Sequence, residues 1–295
     1  MKQHFLMPMI AAALILSGCD SGQKHEATTE QNSVSGQNIS TEDEGLVENK
    51  PQDVTAMPIN QIMINNQLIL TRTVEAYSPN PMTKQVIIKT KGDNKIEKTI
   101  SYNNEGLITS YLYTYSNKGQ AYLTGEIKYQ DDHWQEDIHN VTNNIQMTII
   151  YNTDQHHLIT SCTLSDSNID INQDFFKSPF AYNSAYQLIS MYYILNGLEL
   201  QSLYQYDTQG HIQHERIILP TLEAQADANY DYNAQGQLMG FQATELYSMN
   251  DSALTEADKK IDESFTRVDI NQRGDWIKLT SENGDDVMTR TITYR

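Results

Sequence analysis

A short phrase recurs along this chain and constrains its fold more than any other feature. It runs aromatic, Asn or Asp, two variable residues, Gly, one variable residue and an aliphatic residue. The best copies begin at Tyr206 and Tyr232, with a close copy at Tyr102. Weaker copies begin at Tyr115, Tyr151 and Tyr182, the last two without the glycine, and a variant begins at Ile270. Such repetition indicates an architecture built from one supersecondary unit.

The chemistry of the phrase is that of a β-hairpin. The Asn or Asp side chain can bond the backbone ahead of it, and glycine accepts a positive φ. Aromatic residues two positions apart, as in Tyr111 and Tyr113, share one face of a strand. Asn-Gly pairs at 196–197 and 283–284 are further turn signals. We therefore predict an all-β fold of repeated β-hairpins that form an antiparallel meander or an extended β-sheet.

The repeated phrase resembles the unit of the YD-repeat, or RHS-like, family, which is a Tyr-Asp hairpin with a glycine and a following aliphatic residue. The resemblance covers roughly residues 102–295, and the stretch from Gly274 to Tyr294 looks like the closing unit of uncharacterised bacterial proteins of this kind. Large members of the family wind a long β-strip into a shell around a toxin. This chain has too few units for a shell, so we do not expect that function here.

Two interruptions of the repeat are predicted as insertions. Residues 251–261 have a cap-like start and helix-forming residues, which predicts one short helical insertion between two strands. Residues 219–229 are predicted as an irregular insertion. Binding surfaces commonly lie on such insertions.

The N-terminus is typical of a bacterial lipoprotein. Lys2 precedes an apolar run from Phe5 to Leu16, which is shorter than the roughly 20 residues that cross a bilayer. The run therefore predicts a cleaved signal peptide. The residues that end it resemble the lipobox of lipoprotein signal peptidases: Leu16, Ser17, Gly18 and Cys19.

The lipobox resemblance implies cleavage between Gly18 and Cys19 and a diacylglycerol thioether on the Cys19 sulfur. Acyl chains hold a protein on a membrane because each buried methylene contributes about 0.8 kcal/mol. Asp20 is similar to an inner-membrane retention signal of enteric bacteria, so the inner membrane is favoured and the outer membrane stays an alternative. On either membrane we predict a periplasm-facing protein of the cell envelope.

These signals divide the chain into three parts. Residues 1–18 are predicted as the signal peptide. Residues 19–57 are rich in polar and acidic residues and cannot offset their ordering entropy, which predicts a disordered tether with a mean reach on the order of 35 Å. Residues 58–295 are predicted as the β-repeat domain.

The charge of the chain limits its partners. The formal net charge is −18, and removal of Lys2 with the signal peptide makes it −19. Nucleic acid and anionic lipid headgroups both require patches of Lys and Arg. We therefore predict no nucleic-acid partner, and contact with the membrane through the lipid on Cys19.

Two patterns suggest metal ligands, and neither fits well. Residues 166–174 alternate oxygen-bearing side chains, but an EF-hand needs Gly and Glu where this chain has Ile171 and Lys177. A polar strand edge is the preferred interpretation, with a looser calcium site as the alternative. His211 and His214 lie three apart, so on a strand they face opposite sides. We predict no metal site and no cofactor.

Catalytic motifs are also missing from the sequence. We find no Gly-x-Ser-x-Gly elbow, no paired-carboxylate signature and no phosphate-binding loop. Cys162 lies in a strand-like run, where it is interpreted as a small buried hydrophobe rather than a nucleophile. We therefore assign no catalytic residue and predict that the protein is not an enzyme.

The chain holds 18 Tyr and 2 Trp. Rows of Tyr can bind sugars or extended peptides, or pack across strands, and packing is preferred because the Tyr belong to the repeat. The predicted function is a membrane-anchored, non-catalytic binding or scaffold module for an envelope protein or polysaccharide. The alternatives are an accessory or immunity-type factor for an RHS-like toxin and an enzyme of cell-envelope polymers.

Overall fold

The computed structural model describes residues 59–115, 120–142, 144–167, 179–195, 198–250, 255 and 259–295. A helix, α1 (Ile59–Thr71), and a 3₁₀ turn, Val74–Ala76, precede the strands. All strands belong to one antiparallel sheet. They are β1 (Met82–Lys91), β2 (Asn94–Tyr102), β3 (Ile108–Tyr115), β4 (Gln120–Tyr129), β5 (His133–Asn140), β6 (Ile145–Thr153), β7 (Ile159–Ser167), β8 (Phe180–Tyr182), β9 (Leu188–Leu195), β10 (Leu198–Tyr206), β11 (Ile212–Leu219), β12 (Ala224–Tyr232), β13 (Leu238–Thr244), β14 (Tyr247–Ser248), β15 (Ile261–Ile270), β16 (Trp276–Ser281) and β17 (Asp286–Tyr294).

The sheet is a meander that winds nearly closed. Consecutive strands pair from β1 to β7 and from β8 to β13, after which the short β14 pairs with β12 while β13 pairs with β15. The first and last strands are neighbours, with Ile87 opposite Arg290. Among the described residues no ladder joins β7 to β8, and there the hydroxyl of Tyr182 bonds the backbone of Ile159. The predicted all-β meander of hairpins is confirmed.

The predicted Asx turn is present and is the same in each copy. The side-chain oxygen of the Asn or Asp accepts hydrogen bonds from backbone N–H groups two and four residues ahead, at 2.8–3.1 Å. The residue three positions after the Asx has a positive φ. All of these turns lie at one end of the sheet, which we call the turn end. Their Asx residues are Asn103, Asp154, Asn183, Asp207, Asn233 and Asn271.

One weaker copy differs from the sequence interpretation, and two copies form the turn without glycine. The copy assigned to Tyr151 begins instead at Thr153, because Asp154 supplies the Asx side chain. Its left-handed position is taken by His157, and that of the Tyr182 copy by Tyr186, each with φ of 61°. Asx turns can therefore form without glycine. The turn after Tyr115 and the Asn-Gly pair at 196–197 lie outside the described residues, whereas Gly284 forms its predicted turn with φ of 82°.

Tyrosines at the strand ends connect successive copies. The hydroxyl of Tyr206 donates to the carbonyl of Leu188 at 2.8 Å, and that of Tyr129 donates to Ile108 at 2.6 Å. In both cases the acceptor is the first strand residue after the preceding Asx turn. These bonds fix the distance between adjacent hairpins at the turn end.

Helix α1 lies against the inner face of the sheet and was not predicted from the sequence. Leu68, Ile69 and Leu70 are at most 2% exposed and belong to the core. The amide of Asn65 donates to Tyr186 O at 2.8 Å and accepts from Leu188 N at 3.2 Å. The helix therefore contacts the hairpins through buried amides as well as through apolar side chains.

A second helical amide repeats this arrangement on another hairpin. Asn66 donates to the Tyr129 hydroxyl at 2.6 Å and accepts from Ile108 N at 3.1 Å. Ile108 is the first strand residue after the Asx turn of Asn103, just as Leu188 is the first strand residue after the turn of Asn183. After α1 the chain passes through the 3₁₀ turn to β1. We call residues 59–81, which precede β1, the plug.

Tyrosines pack inside the sheet, as the preferred interpretation of the repeat requires. Tyr111 and Tyr113 are buried with ring centroids 5.4 Å apart, and Tyr113 packs on Tyr122 at 6.2 Å. Tyr230 packs on Phe241 at 5.6 Å. Aromatic pairs of this kind, within a strand or across strands, stabilise a sheet by roughly 0.5–1.5 kcal/mol each beyond burial.

The two predicted insertions have different outcomes. The prediction of an irregular insertion at 219–229 is wrong beyond residue 223, because β12 starts at Ala224 and pairs with β11 in regular register. Most of the predicted helix at 251–261 lies outside the described residues, and its last residue, Ile261, opens β15 instead. In the part of the chain that is described, no helix is long and apolar enough to cross a membrane.

Candidate functional site: a cavity at the turn end

A cavity of about 520 Å³ opens at the turn end between the plug and the Asx turns of Asn183, Asp207, Asn233 and Asn271. Ligand pockets in proteins commonly measure about 300–1,000 Å³. Ile64 and Leu68 from α1 line one side, and Ile212 and Leu238 line the other. The apolar walls lie beneath a rim of glutamine side chains, so the cavity offers both kinds of contact.

The turns that form the rim interlock through a repeated contact. In three consecutive copies, the side chain of the residue after the left-handed position lies over the glycine of the next turn. A Cβ atom placed on that glycine would lie 2.5–3.2 Å from a nitrogen of the neighbouring side chain. The pairs are Gln187 over Gly210, His211 over Gly236 and Gln237 over Gly274. Glycine is thus needed at these positions for the close approach as well as for φ.

Hydrogen bonds within each turn hold these side chains in place. The amides of Asn183 and Asn233 donate to Gln187 Oε1 at 2.7 Å and to Gln237 Oε1 at 2.8 Å. Because each Oε1 is engaged, the NH₂ group of each glutamine points to the other side of its amide. His211 is fixed by Asp207 at 3.0 Å and stacks on the Tyr232 ring at 4.8 Å.

Charged groups of both signs line the remaining wall. Asp275 is buried, and its Oδ2 accepts from Asn80 at 2.8 Å and from the Tyr294 hydroxyl at 2.6 Å. Burial and the nearby Asp275 carboxylate raise the pKa of Tyr77 to about 12, so its hydroxyl stays protonated at neutral pH. Arg273 is exposed at the rim, with its guanidinium 4.1 Å from the centroid of the Tyr294 ring.

Arg290 of β17 forms the deep end of the cavity and is 3% exposed. Its Nε donates to Gln85 Oε1 at 2.8 Å and its Nη2 to Ala76 O at 2.7 Å. The guanidinium lies 5.3 Å from the Trp276 ring centroid. Burial lowers the pKa of Arg290, yet arginine remains protonated in proteins.

The arrangement suits recognition of a polar ligand. Amide NH₂ groups and carbonyls can bond hydroxyl and acetamido groups, and Tyr and Trp rings can pack on their apolar faces. Successive turns are two strands apart, or about 10 Å, so the rim presents similar groups at a regular interval. Within the described residues, no three His, Cys, Asp or Glu side chains are grouped to hold a metal ion.

Two carboxylates are buried at separate places inside the sheet, away from the cavity, and each accepts hydrogen bonds from tyrosine hydroxyls. Glu136 accepts from Tyr111 at 2.7 Å and from Tyr151 at 2.5 Å. Tyr111 reaches it by crossing β4 at Gly125, where a Cβ would lie 2.1 Å from the ring. Burial raises the pKa of Glu136 despite these bonds.

The second carboxylate has similar surroundings in another part of the sheet. Glu215 accepts from the Tyr230 hydroxyl at 3.2 Å, which opposes the rise of its pKa. Burial raises the pKa of Glu215 to about 7. Neither carboxylate lines the cavity, and we interpret both as parts of the polar core.

The residues singled out in the sequence do not form one site. Cys162 is buried in β7, as expected, and burial raises the pKa of its thiol to about 12. His211 lies at the turn end, whereas His214 bonds Asp227 at 3.1 Å, so they do not meet. Gly18, Cys19 and most of the acidic run at 166–174 lie outside the described residues.

The sequence interpretation missed the cavity. It noted the Asx turns but not that the residue after each glycine projects onto the next turn. The recurrence of Gln or His there, at Gln187, His211 and Gln237, was the available signal. The role of Arg290 could not be predicted, because an isolated arginine on a strand is normally interpreted as a surface residue.

Comparisons with known proteins give no family and only distant structural matches. No protein-family model matches the sequence, and no curated protein does. Among solved structures, the chain is similar to a porin-like protein from Bacteroides uniformis at 14% identity, covering 75% of this chain and 100% of that one, with a TM-score of 0.41. A second match is MucB in complex with MucA, at 6% identity over 79% of this chain and 93% of that one, with a TM-score of 0.14.

Proposed function

We propose that the protein is a lipid-anchored, non-catalytic binding module of the bacterial cell envelope, and that the turn-end cavity binds a polysaccharide. The observation that carries this proposal is the row of interlocked turns along the cavity rim. Repeated turns present amides at intervals of about 10 Å, which suits a ligand whose own chemistry repeats. A polysaccharide is such a ligand.

The cavity chemistry supports a saccharide over an apolar ligand. Gln187 and Gln237 are held by bonds within their own turns, so their donors are oriented before the ligand arrives. Gln209 and Gln235 are exposed at the rim. Oriented donors reduce the entropic cost of binding, because fewer side chains must be ordered.

The lipobox resemblance supports the location. A lipid on Cys19 and a polar tether over 19–57 would hold the β domain near a membrane, where envelope polysaccharides are found. The net charge of −18 opposes nucleic acid as the ligand.

The test uses the full lipoprotein in detergent and immobilised envelope polysaccharides. Gln209→Trp places a bulky ring at the cavity rim, while Gln155→Trp makes the same change on an exposed glutamine of a turn that does not line the cavity. We expect retention of the wild type and of Gln155→Trp, and loss of retention for Gln209→Trp. Equal retention of both variants, or none of the wild type, would contradict the proposal.

The recovered polysaccharide also tests the non-catalytic assignment. Its mass distribution should be unchanged after prolonged incubation with the protein. Shortened fragments that appear with the wild type and not with Gln209→Trp would make the protein an enzyme of envelope polymers instead.

A further inference from the structure

Arg290 is a buried cation whose hydrogen bonds are incomplete. Gln85 and Ala76 accept from Nε and Nη2, and both acceptor residues are fully buried. Among the described residues, Nη1 has no hydrogen-bond partner. Nη1 carries two N–H bonds and is itself buried, so a substantial part of the guanidinium of this cavity-lining residue is unsatisfied.

The charge of Arg290 is also not neutralised by an ion pair. None of the ion pairs among the described residues includes it. The acidic groups Asp275 and Glu75 are near enough to raise its pKa, but desolvation is the larger effect. Asp275 already accepts bonds from Asn80 and Tyr294.

A buried charge with free donors is costly unless an anionic group completes its hydrogen bonds. Arg290 lines the cavity, where its guanidinium is almost wholly shielded from bulk water. We infer that the polysaccharide bound in the cavity is acidic, and that Arg290 binds a carboxylate of one of its sugar units. This inference rests on the proposed function of the cavity.

Other groups of the cavity fit the rest of such a sugar. Arg273 lies at the rim, where an exposed cation increases the rate at which an acidic ligand associates. The rim amides can bond the hydroxyl groups. Arg290 would bind the carboxylate inside the cavity, and the rim amides would bind the hydroxyl groups. Because a hydroxyl group cannot replace the carboxylate at Arg290, the sugar unit would bind in one orientation.

The first experiment needs no variant. Binding of an oligogalacturonate to the full lipoprotein in detergent is compared by calorimetry with binding of its methyl ester, which has the same size and hydroxyl groups but no charge. A charge-assisted hydrogen bond contributes enough that we expect the acid to bind at least about tenfold more tightly. The difference should persist at high salt, because a buried contact is poorly screened, whereas the repulsion between the acid and the net charge of −18 is weakened by salt.

Arg290→Lys is the variant of choice, because it keeps the charge and shortens the side chain, while Arg290→Gln also removes donors to the plug. We expect Arg290→Lys to reduce the preference for the acid over the ester, with the ester affinity unchanged. Arg267→Gln, at an exposed arginine of β15 that does not line the cavity, is the matched control and should retain the preference. If Arg290→Lys does not fold, the comparison of acid and ester on the wild type decides alone.

The outcomes separate the two proposals. Equal affinity for acid and ester would overturn the role of Arg290 and leave the saccharide-binding cavity standing. If neither binds, and no neutral polysaccharide is retained, the proposed function fails with it. Preference for a peptide with a free C-terminus over its amide, without saccharide binding, would overturn the acidic-sugar inference in favour of a peptide carboxylate.

Discussion

Replacement of Gly236 by alanine tests the interlocked turns directly. Gly236 has φ of 73°, and a Cβ there would lie 2.5 Å from His211 Nε2 and 2.9 Å from its Cε1. Gly284 is a matched control because its φ is 82° and a Cβ there would meet nothing within 4 Å. The two alanine variants therefore share backbone strain and differ in the steric contact.

The expected costs follow from these distances. A left-handed alanine costs roughly 1–2 kcal/mol in either variant. In Gly236→Ala the His211 ring must also move, and it then loses its bond to Asp207 and its stacking on Tyr232. These two contacts contribute roughly 1–2 kcal/mol together. We expect Gly236→Ala to be less stable than Gly284→Ala by that amount.

Thermal unfolding of the two variants measures the difference. For a domain of this size, 1 kcal/mol corresponds to roughly 2–4 °C in Tm, so Gly236→Ala should melt about 2–8 °C below Gly284→Ala. Since His211 lines the cavity, Gly236→Ala should also weaken ligand binding while Gly284→Ala does not. Equal melting temperatures would refute the interlocking of the turns.

Three further predictions concern the helix, the core and the anchor. Asn66→Ala removes two buried hydrogen bonds, of 2.6 and 3.1 Å, and should lower the free energy of unfolding in urea by roughly 2–4 kcal/mol. The control is Asn60→Ala at an exposed position, which should change that free energy by less than about 0.5 kcal/mol. Burial raises the pKa of Glu215 to about 7, so the folded state retains a proton that the unfolded carboxyl releases near 4.5. The stability of the wild type should therefore fall as the pH rises from about 4.5 to about 7. Glu215→Gln should abolish that part of the fall, up to about 3 kcal/mol between pH 5 and pH 8, and an unchanged pH profile of urea unfolding would contradict the burial effect. Cys19→Ser should prevent acyl-chain incorporation and release the protein from membranes in detergent-phase partitioning, while Cys162→Ser should remain membrane-bound; a Cys19→Ser protein that stays lipidated would refute the anchor.

The hairpins could be predicted from sequence because their determinants are local. An Asx side chain at Asp207 or Asn233 bonds N–H groups two and four residues ahead, so the whole turn is encoded within a few positions. The same locality explains the copies without glycine, where His157 and Tyr186 adopt the left-handed conformation that the Asx bonds favour. What the local pattern does not encode is how the hairpins are arranged.

Helix α1 could not be predicted by the same reasoning. Its run of Asn and Gln resembles a solvent-exposed segment, and the amides of Asn65 and Asn66 have partners far along the chain. Asn65 bonds Leu188, which is 123 residues away, and Asn66 bonds Ile108, which is 42 residues away. A polar residue whose partner is distant in sequence cannot be distinguished from a surface residue until the fold is known.

The cavity depends on the same long-range closure. Arg290 on the last strand bonds Gln85 on the first strand and Ala76 in the plug, so the deep end of the cavity forms where the two ends of the meander meet. The rim comes from turns between those ends, and each turn is positioned by the one before it. A ligand that completes the bonds of Arg290 should therefore stabilise the pairing of β1 with β17 as well as fill the cavity. Slower amide exchange at Ile87 and Ile292 on addition of an acidic oligosaccharide would show this coupling, and unchanged exchange there with saturated binding would confine the ligand to the rim.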